Sequence, residues 1–150
     1  MKSFDVFSMN CYRPRVPTDA LEHIGKVTGR PTLIGEWHFG AKDVGLPAGG
    51  MMQVTTQEDR GKAYRVYLEN AVAIPWCVGV HYFTLYDEAT LGRFDGEMFN
   101  IGFLDTCNRP YEPLCSASKQ SHERVYAVAK GQAQPYVDAP EYLPGLSAME

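Results

Sequence analysis

Apolar positions along the chain change their spacing several times, and each change marks an element. Residues 4–12, Phe-Asp-Val-Phe-Ser-Met-Asn-Cys-Tyr, are apolar and partly alternating, and the Arg-Pro-Arg-Val-Pro run at 13–17 closes them off, so the segment reads as a buried strand. Thr18 then serves as N-cap for a short helix that sets Leu21, Ile24 and Val27 on one face, and Gly29 and Pro31 end it. Residues 32–36, Thr-Leu-Ile-Gly-Glu, form a second short strand. From 40 to 54 the chain is rich in Gly, Pro and Met, the composition of a long loop, and long loops in compact domains are usually functional.

A clear helix follows. Thr55 with Glu58 makes a capping-box pattern, and Ala63, Tyr67, Ala71 and Ile74 hold one face until Pro75. Residues 77–86 are almost wholly apolar, as expected of a strand covered on both faces. A Gly- and acid-rich loop from Asp87 to Asn108 leads into a last helix near Pro110, with Leu114, Ala117, Val125 and Val128 facing inward. Beyond Gly131 the prolines at 135, 140 and 144 and the lack of period read as an irregular, wandering tail over 131–150. The order β-α-β-α-β-α, with helices long enough to cross between parallel strands, predicts an α/β fold. A closed (β/α)8 barrel has eight βα units in about 250 residues, and the three read here are fewer than half of them.

Composition narrows the function classes. Fourteen Lys and Arg against 18 Asp and Glu leave a net charge of −4, with no basic excess to hold a phosphate backbone, so no nucleic-acid partner is expected. The longest apolar run falls well short of the ~20 residues of a membrane helix, and Asp5 interrupts the place of a signal peptide's apolar stretch, so neither a membrane span nor a secretion signal is expected. Cys11, Cys77, Cys107 and Cys115 form no C-x-x-C pair and read as free thiols, and no metal or other cofactor is called for.

In parallel α/β layers, ligands meet the C-terminal strand ends and the loops after them. Those ends carry Asn10, Cys11 and Tyr12, then Glu36, Trp37 and His38, then His81 through Asp87. Strand periodicity puts Asn10 with Tyr12, Glu36 with His38 and His81 with Phe83 on common faces, so a carboxylate, an imidazole, an amide and a phenol converge on one rim.

These segments carry a resemblance. Ile34-Gly35-Glu36-Trp37-His38-Phe39-Gly40-Ala41, followed by Asp43 and Gly45, resembles the seventh-strand segment of clan A retaining glycoside hydrolases, most closely the β-agarases, whose pattern is Gly-Glu-Phe-His-Phe-Gly-Ala. Gly79-Val80-His81-Tyr82-Phe83 with Asp87, Gly92-Arg93-Phe94-Asp95-Gly96-Glu97, Asn100-Ile101-Gly102-Phe103 and Arg109-Pro110-Tyr111 resemble the eighth strand and its loop. The resemblance implies that residues 1–130 are the C-terminal portion of such a barrel, its last three βα units. It implies Glu36 as nucleophile and Tyr12 as a phenol bonded to it, with Asn10, Trp37, His38, His81, Tyr82 and Asp87 around an oligo- or polysaccharide such as a galactan. Trp37 stands in place of the family's usual Phe, and Tyr82 in place of a Trp that forms a sugar platform. Retaining hydrolysis also needs a second carboxyl about 5–5.5 Å from the first. The family places it after an Asn-Glu pair on the fourth strand, and this sequence has no Asn-Glu pair.

Plainer readings stand beside these. His38 and His81 suit hydrogen-bonded core positions as well as sugar contact, and Trp37, Tyr82 and Phe83 suit the core. His23 and His122 read as surface residues, and Arg93, Asp95 and Glu97 as an ion cluster bracing a Gly-rich loop. The expected function is a fragment or truncated member of a β-agarase-like hydrolase lacking its acid/base; the alternative is a non-catalytic or degenerate carbohydrate-binding domain. Three parallel strands leave two open edges, and Val6, Met9, Leu33 and Val80 are expected on an uncovered face. Self-association or a complementary barrel fragment is the partner this implies.

Overall fold

The computed structural model describes residues 3–144. It is an α/β structure in which β1 (Phe7–Asn10), β2 (Thr32–Trp37) and β4 (Cys77–Tyr82) form a parallel sheet in the order β1-β2-β4. The crossovers are α1 (Thr18–Thr28) and α2 (Gln57–Val72), and α3 (Glu112–Ala129) follows β4 and packs on α2. The strands are shorter than their apolar runs, and among the described residues β2 is the one strand paired with β1 and with β4. Phe4 is 69% exposed where the pattern expects strand.

Capping and close approach explain where the helices run. The cap of α2 is Thr56, one residue later than expected: its hydroxyl accepts the Asp59 N–H at 3.1 Å and donates to Asp59 Oδ2 at 2.9 Å. Ala63, Tyr67, Ala71 and Ile74 are buried as their spacing predicts, and Tyr64, Val66 and Leu68 join them because α2 is sandwiched between the sheet and α3. Gly61 permits that second contact, since a β-carbon there would lie 2.9 Å from Ala117 Cβ. Thr18 does not cap α1; it is the first helical residue, and Pro17 is the cap. Val27, expected inside, is 70% exposed. The buried stripe of α1 is Leu21 and Gly25, four residues apart, and the Trp76 indole fills the space that the missing Gly25 side chain leaves. In α3, Leu114, Ala117 and Val128 are buried and Val125 is half-buried.

The tail is the main correction to the sequence reading. Its residues 145–150 lie outside the described residues, but Tyr142–Leu143 forms β5, antiparallel to β3 (Gln53–Val54) inside the long loop. Upstream of it, the fully buried Glu69 of α2 accepts the Tyr136 N–H at 2.9 Å, and the Arg65 guanidinium lies 4.0 Å from the Tyr136 ring centroid. The tail is therefore strapped to α2. Two-residue strands have no period to read, so the pattern could not reveal β3 or β5.

The uncovered side of the sheet also differs from expectation. Met9 and Val80 turn toward the helices and pack on the core, leaving Ser8, Asn10 and His81 exposed, with Gly35, Gly79 and Leu33 between them. Of the four side chains expected there, Leu33 and Val6 do stay uncovered, Val6 at 42% and joined by Val78 at 62%, so the face mixes polar groups, glycines and a few aliphatic side chains. Aromatic rings fill the opposite side: Trp37 stacks on Tyr67 at 4.4 Å and 10°, and Tyr64, Phe39 and Tyr82 surround it.

At the centre of this layer lies Arg60, fully buried on α2. Its Nε donates to Phe39 O at 2.6 Å and its Nη2 to Gly102 O at 2.6 Å and Tyr82 Oη at 3.1 Å. Nη1 reaches Gln57 Oε1 at 3.1 Å and Asn100 Oδ1 at 3.4 Å. One planar cation thus joins the ends of β2 and β4 to the loop after β4. Arg60→Met keeps much of the volume and strands these acceptors, so it is expected to cost about 3 kcal/mol or more, with Arg60→Lys recovering little because an ammonium cannot reproduce the fork. Urea unfolding of the purified chain measures this, and a loss below about 1 kcal/mol would contradict it.

Candidate functional site

A bulge at the end of β2 aims the site. Met9 pairs with Ile34, but the next residue, Asn10, pairs with Glu36, so Gly35 is an extra residue on β2. Glycine leaves room there for its neighbours: a β-carbon would lie 2.7 Å from Ser8 Oγ and 2.9 Å from Asn10 Oδ1, and both side chains would have to turn away. The bulge breaks the alternation that buries Thr32 and Ile34, turning Glu36 out beside Asn10 and sending Trp37 inward. Tyr12, just past β1, donates its hydroxyl to Glu36 Oε2 at 2.6 Å. Burial raises the Tyr12 pKa first, the bond and charge of Glu36 raise it further, Glu97 adds to this and Arg93 opposes it. The phenol is therefore a fixed donor at neutral pH.

His38 lies behind this pair. It is 2% exposed, its ring centroid is 4.7 Å from that of Tyr12, and Phe83 and Phe99 flank it. Its Nε2 accepts the Met51 N–H at 3.0 Å, so the proton of the neutral ring sits on Nδ1, which has no partner among the described residues. Burial, then the charge of Arg60, pushes its pKa down to about 3. Gly50, at φ 74°, lets the loop approach, because a β-carbon would stand 2.5 Å from His38 Nε2.

The other expected site residues divide. Asn10 and His81 are exposed on the open face, in reach of a ligand beside Glu36. Three others are corrected. Trp37 is 1% exposed within the aromatic core. Tyr82 turns its hydroxyl inward, donating to Phe39 O at 2.9 Å and accepting from Arg60, so it offers no platform at the rim. Asp87 is buried and both its oxygens are used, Oδ1 by the Gly102 N–H at 2.8 Å and Oδ2 by the Tyr111 hydroxyl at 2.6 Å. Burial raises its pKa against the lowering pull of those bonds and of Arg60, and its role is to hold the loop. His23 and His122 are exposed, the latter 3.0 Å from the Tyr64 hydroxyl.

Position alone did not single out Arg60 or Asn100. Asn100 is fully buried, bonded to Val44 O, Tyr111 Oη and Gln57, and its N–H donates to Ala48 O at 2.7 Å, so it fastens the two long loops to each other. Its place in a quoted motif was the available signal. Arg93 pairs with Asp95 and Glu97 at 3.0 and 3.5 Å, as read from sequence, and also with Glu88 at 3.1 Å, which was not, and its loop comes close enough for Glu97 to act on Tyr12. Burial and the charges of Glu88 and Asp95 raise the Glu97 pKa, opposed by Arg93. A surface hollow lined by Arg15, Val16, Val66, Asn70 and Val137 lies between the β1–α1 loop and the tail and includes none of these residues. Among the described residues no cluster of three or more His, Cys, Asp or Glu is placed to hold a metal, and all four cysteines are free.

No protein-family model matches the chain. Among curated proteins it is similar to β-agarase B of Vibrio sp. (strain JT0107), 42% identical over 98 residues, which is 65% of this chain and 10% of that protein. To β-agarase A of the same strain it is 34% identical over 128 residues, 81% of this chain and 13% of that one. Among solved structures, that of an agarase, AgWH50C, superposes with a TM-score of 0.80 at 35% identity, over 85% of this chain and 18% of that one. The chain is an agarase-like glycoside hydrolase region of partial length, spanning about a tenth of the curated relatives it matches.

His38 makes a pH signature of this site. An unfolded histidine takes a proton near pH 6.5, whereas the folded one resists it until about 3. Between those values the unfolded state binds the extra proton, so His38 costs the fold stability progressively as pH falls below 6.5 and has no such effect above it. His38→Gln is expected to flatten the acid side of the stability–pH curve by about one proton. Nitrogen chemical shifts of the native ring should stay those of a neutral Nδ1–H tautomer down to about pH 5. A native His38 that titrates at the ordinary value would refute this.

Proposed function

We propose, from the agarase-like character of this region, that the chain is the C-terminal portion of a retaining clan A glycoside hydrolase. In this reading residues 1–130 contribute the last three βα units of a (β/α)8 barrel and 131–150 a tail. The observation that carries the proposal is the 2.6 Å bond from Tyr12 to Glu36 at the C-terminal ends of adjacent parallel strands. Ligand sites of such sheets form at that end.

Glu36 is the nucleophile: its free oxygen attacks the anomeric carbon, the glycosidic bond breaks, and a glycosyl ester forms that water then hydrolyses. Tyr12 positions the carboxylate through Oε2 and, as a protonated phenol, offers it a donor rather than a competing charge. Asn10 and His81 face the sugar on the open side, and His38 supports Tyr12 from behind without touching substrate. The substrate is an oligo- or polysaccharide, a β-linked galactan in keeping with the names of the relatives, and the chemistry needs no cofactor or metal. The leaving group's proton must come from a carboxyl on the missing strands, since the carboxyls here outside Glu36 that approach the rim belong to the loop after β4. The lack of an Asn-Glu pair favours one second reading, a carbohydrate-binding domain without turnover.

The isolated chain is expected to show negligible hydrolysis of agarose or aryl β-galactosides. Mixed with a fragment that supplies strands one to five, it should gain activity that Glu36→Gln lowers by at least about a thousandfold and Tyr12→Phe by roughly ten- to a hundredfold. Turnover by the chain alone, abolished in Glu36→Gln, would show that a local carboxyl serves as acid. No gain with any partner fragment would leave the binding-domain reading.

Assembly follows from the same topology. β1 and β4 are unpaired edges, and edges recruit strands. The chain by itself is expected to self-associate, and a complementary fragment to disperse those assemblies. The open edges and the exposed aliphatic side chains Val6 and Val78 contribute to this drive together. Sedimentation equilibrium at micromolar concentration decides it, and a stable monomer would count against open edges.

A further inference from the structure

The most exposed aromatic ring described is Phe94, 97% accessible at the tip of a tight turn in the loop after β4. A mobile exposed ring would mean little, but this one is braced. Arg93 N–H donates to Glu97 O at 2.8 Å and Gly96 N–H to Arg93 O at 2.9 Å, with Gly96 at φ 85°, so residues 93–97 close a hydrogen-bonded turn. The Arg93 guanidinium is clamped by Glu88, whose side chain is only 2% exposed, and by Asp95 and Glu97. From that position it stands 5.7 Å from the Phe94 ring centroid and 5.9 Å from that of Phe83. Phe83 flanks His38, and His38 flanks Tyr12, and the Arg93 guanidinium stands between Phe83 and Phe94, so the turn lies close enough to the Glu36 pair for Arg93 and Glu97 to act on Tyr12.

We propose that Phe94 is the stacking platform of an outer saccharide subsite, which takes a neutral pyranose ring further along the rim from Glu36. The inference rests on the carbohydrate reading given above and extends it. The Phe94 ring is 97% accessible, so its faces are open to a sugar's C–H face, while the Arg93 guanidinium 5.7 Å from its centroid is part of the ion cluster that fixes the turn carrying it. Preorganisation in a closed turn spares the ordering cost that a loose loop would incur on binding. Charge selects the ligand: one guanidinium faces three carboxylates, so the turn carries excess negative charge and disfavours sulfated or uronic sugars. Arg93 acts as a positioning residue for the ring.

The test is titration of the full chain with a neutral agarose-derived hexasaccharide, and in parallel with a sulfated galactan hexasaccharide, followed by calorimetry and by the ring resonances of Tyr12. Phe94→Ala is expected to weaken neutral-sugar binding roughly tenfold while Tyr12 still responds. Phe94→Trp should keep the affinity and report the sugar through a blue shift of tryptophan emission. The sulfated ligand should bind more weakly than the neutral one. Unchanged affinity in Phe94→Ala with a responsive Tyr12 overturns the subsite and leaves the hydrolase reading standing. Silence of both Tyr12 and the heat signal removes both. A Phe94→Ala variant that loses self-association but not sugar affinity assigns the ring to a protein contact and likewise overturns the proposal.

Discussion

The structure depends on a buried cation bound by neutral oxygens. Arg60 is fully buried, and its guanidinium is satisfied by carbonyls of Phe39 and Gly102, side-chain oxygens of Gln57 and Asn100, and the Tyr82 hydroxyl. A charge taken out of water is tolerable only when nearly every donor is met. That requirement pins the ends of β2 and β4 and the loop around Gly102 to one helix in one arrangement. Burial first, and then the charge of this cation, depresses the pKa of His38, and the cation joins the Tyr111 and Gly102 bonds in opposing the burial that raises Asp87, so core packing and the electrostatics behind the rim are linked.

On this frame the rim is shaped by a single extra residue. Were β2 regular, Glu36 would follow Thr32 and Ile34 into the aromatic layer and Trp37 would face outward. The Gly35 bulge reverses both. The carboxylate gains a phenol donor and an open face, and the indole gains Tyr67 and Tyr64. A side chain at 35 would meet Ser8 and Asn10 and displace the amide that stands beside Glu36. The Gly-Glu pair is thus a structural unit in which the first residue aims the second.

The loops after β2 and β4 depend on each other. Asn100 links both, bonding to Val44 and to the main chain of Ala48, and the Asp87–Tyr111 pair closes the second loop onto the start of α3. The tail adds a third attachment through Glu69 and the β3–β5 pair. An agarase-like region that spans about a tenth of its curated relatives can hold a defined shape because polar bonds fasten its long loops, while its strand edges stay open.

Local periodicity sufficed for the elements whose burial repeats along the chain. The α/β order, the stripe of Ala63, Tyr67 and Ala71, and the start of β2 at Thr32 were all legible, as was the pairing of Arg93 with Asp95 and Glu97, its near neighbours in sequence. The neighbourhood of Glu36 was legible in part: Asn10 pairs with it, Tyr12 bonds to it and His38 lies buried behind Tyr12, because strand ends of parallel neighbours must lie side by side. Tertiary structure alone decided which of the rim residues face outward. Trp37, Tyr82 and Asp87 turn inward because a bulge, a buried guanidinium and a distant phenol claim them, and none of those partners is a sequence neighbour. The strap of the tail was invisible for a related reason: a two-residue strand and a single buried carboxylate have no period, so only the folded chain, by bringing Glu69 to Tyr136 and Val54 to Tyr142, gives them meaning.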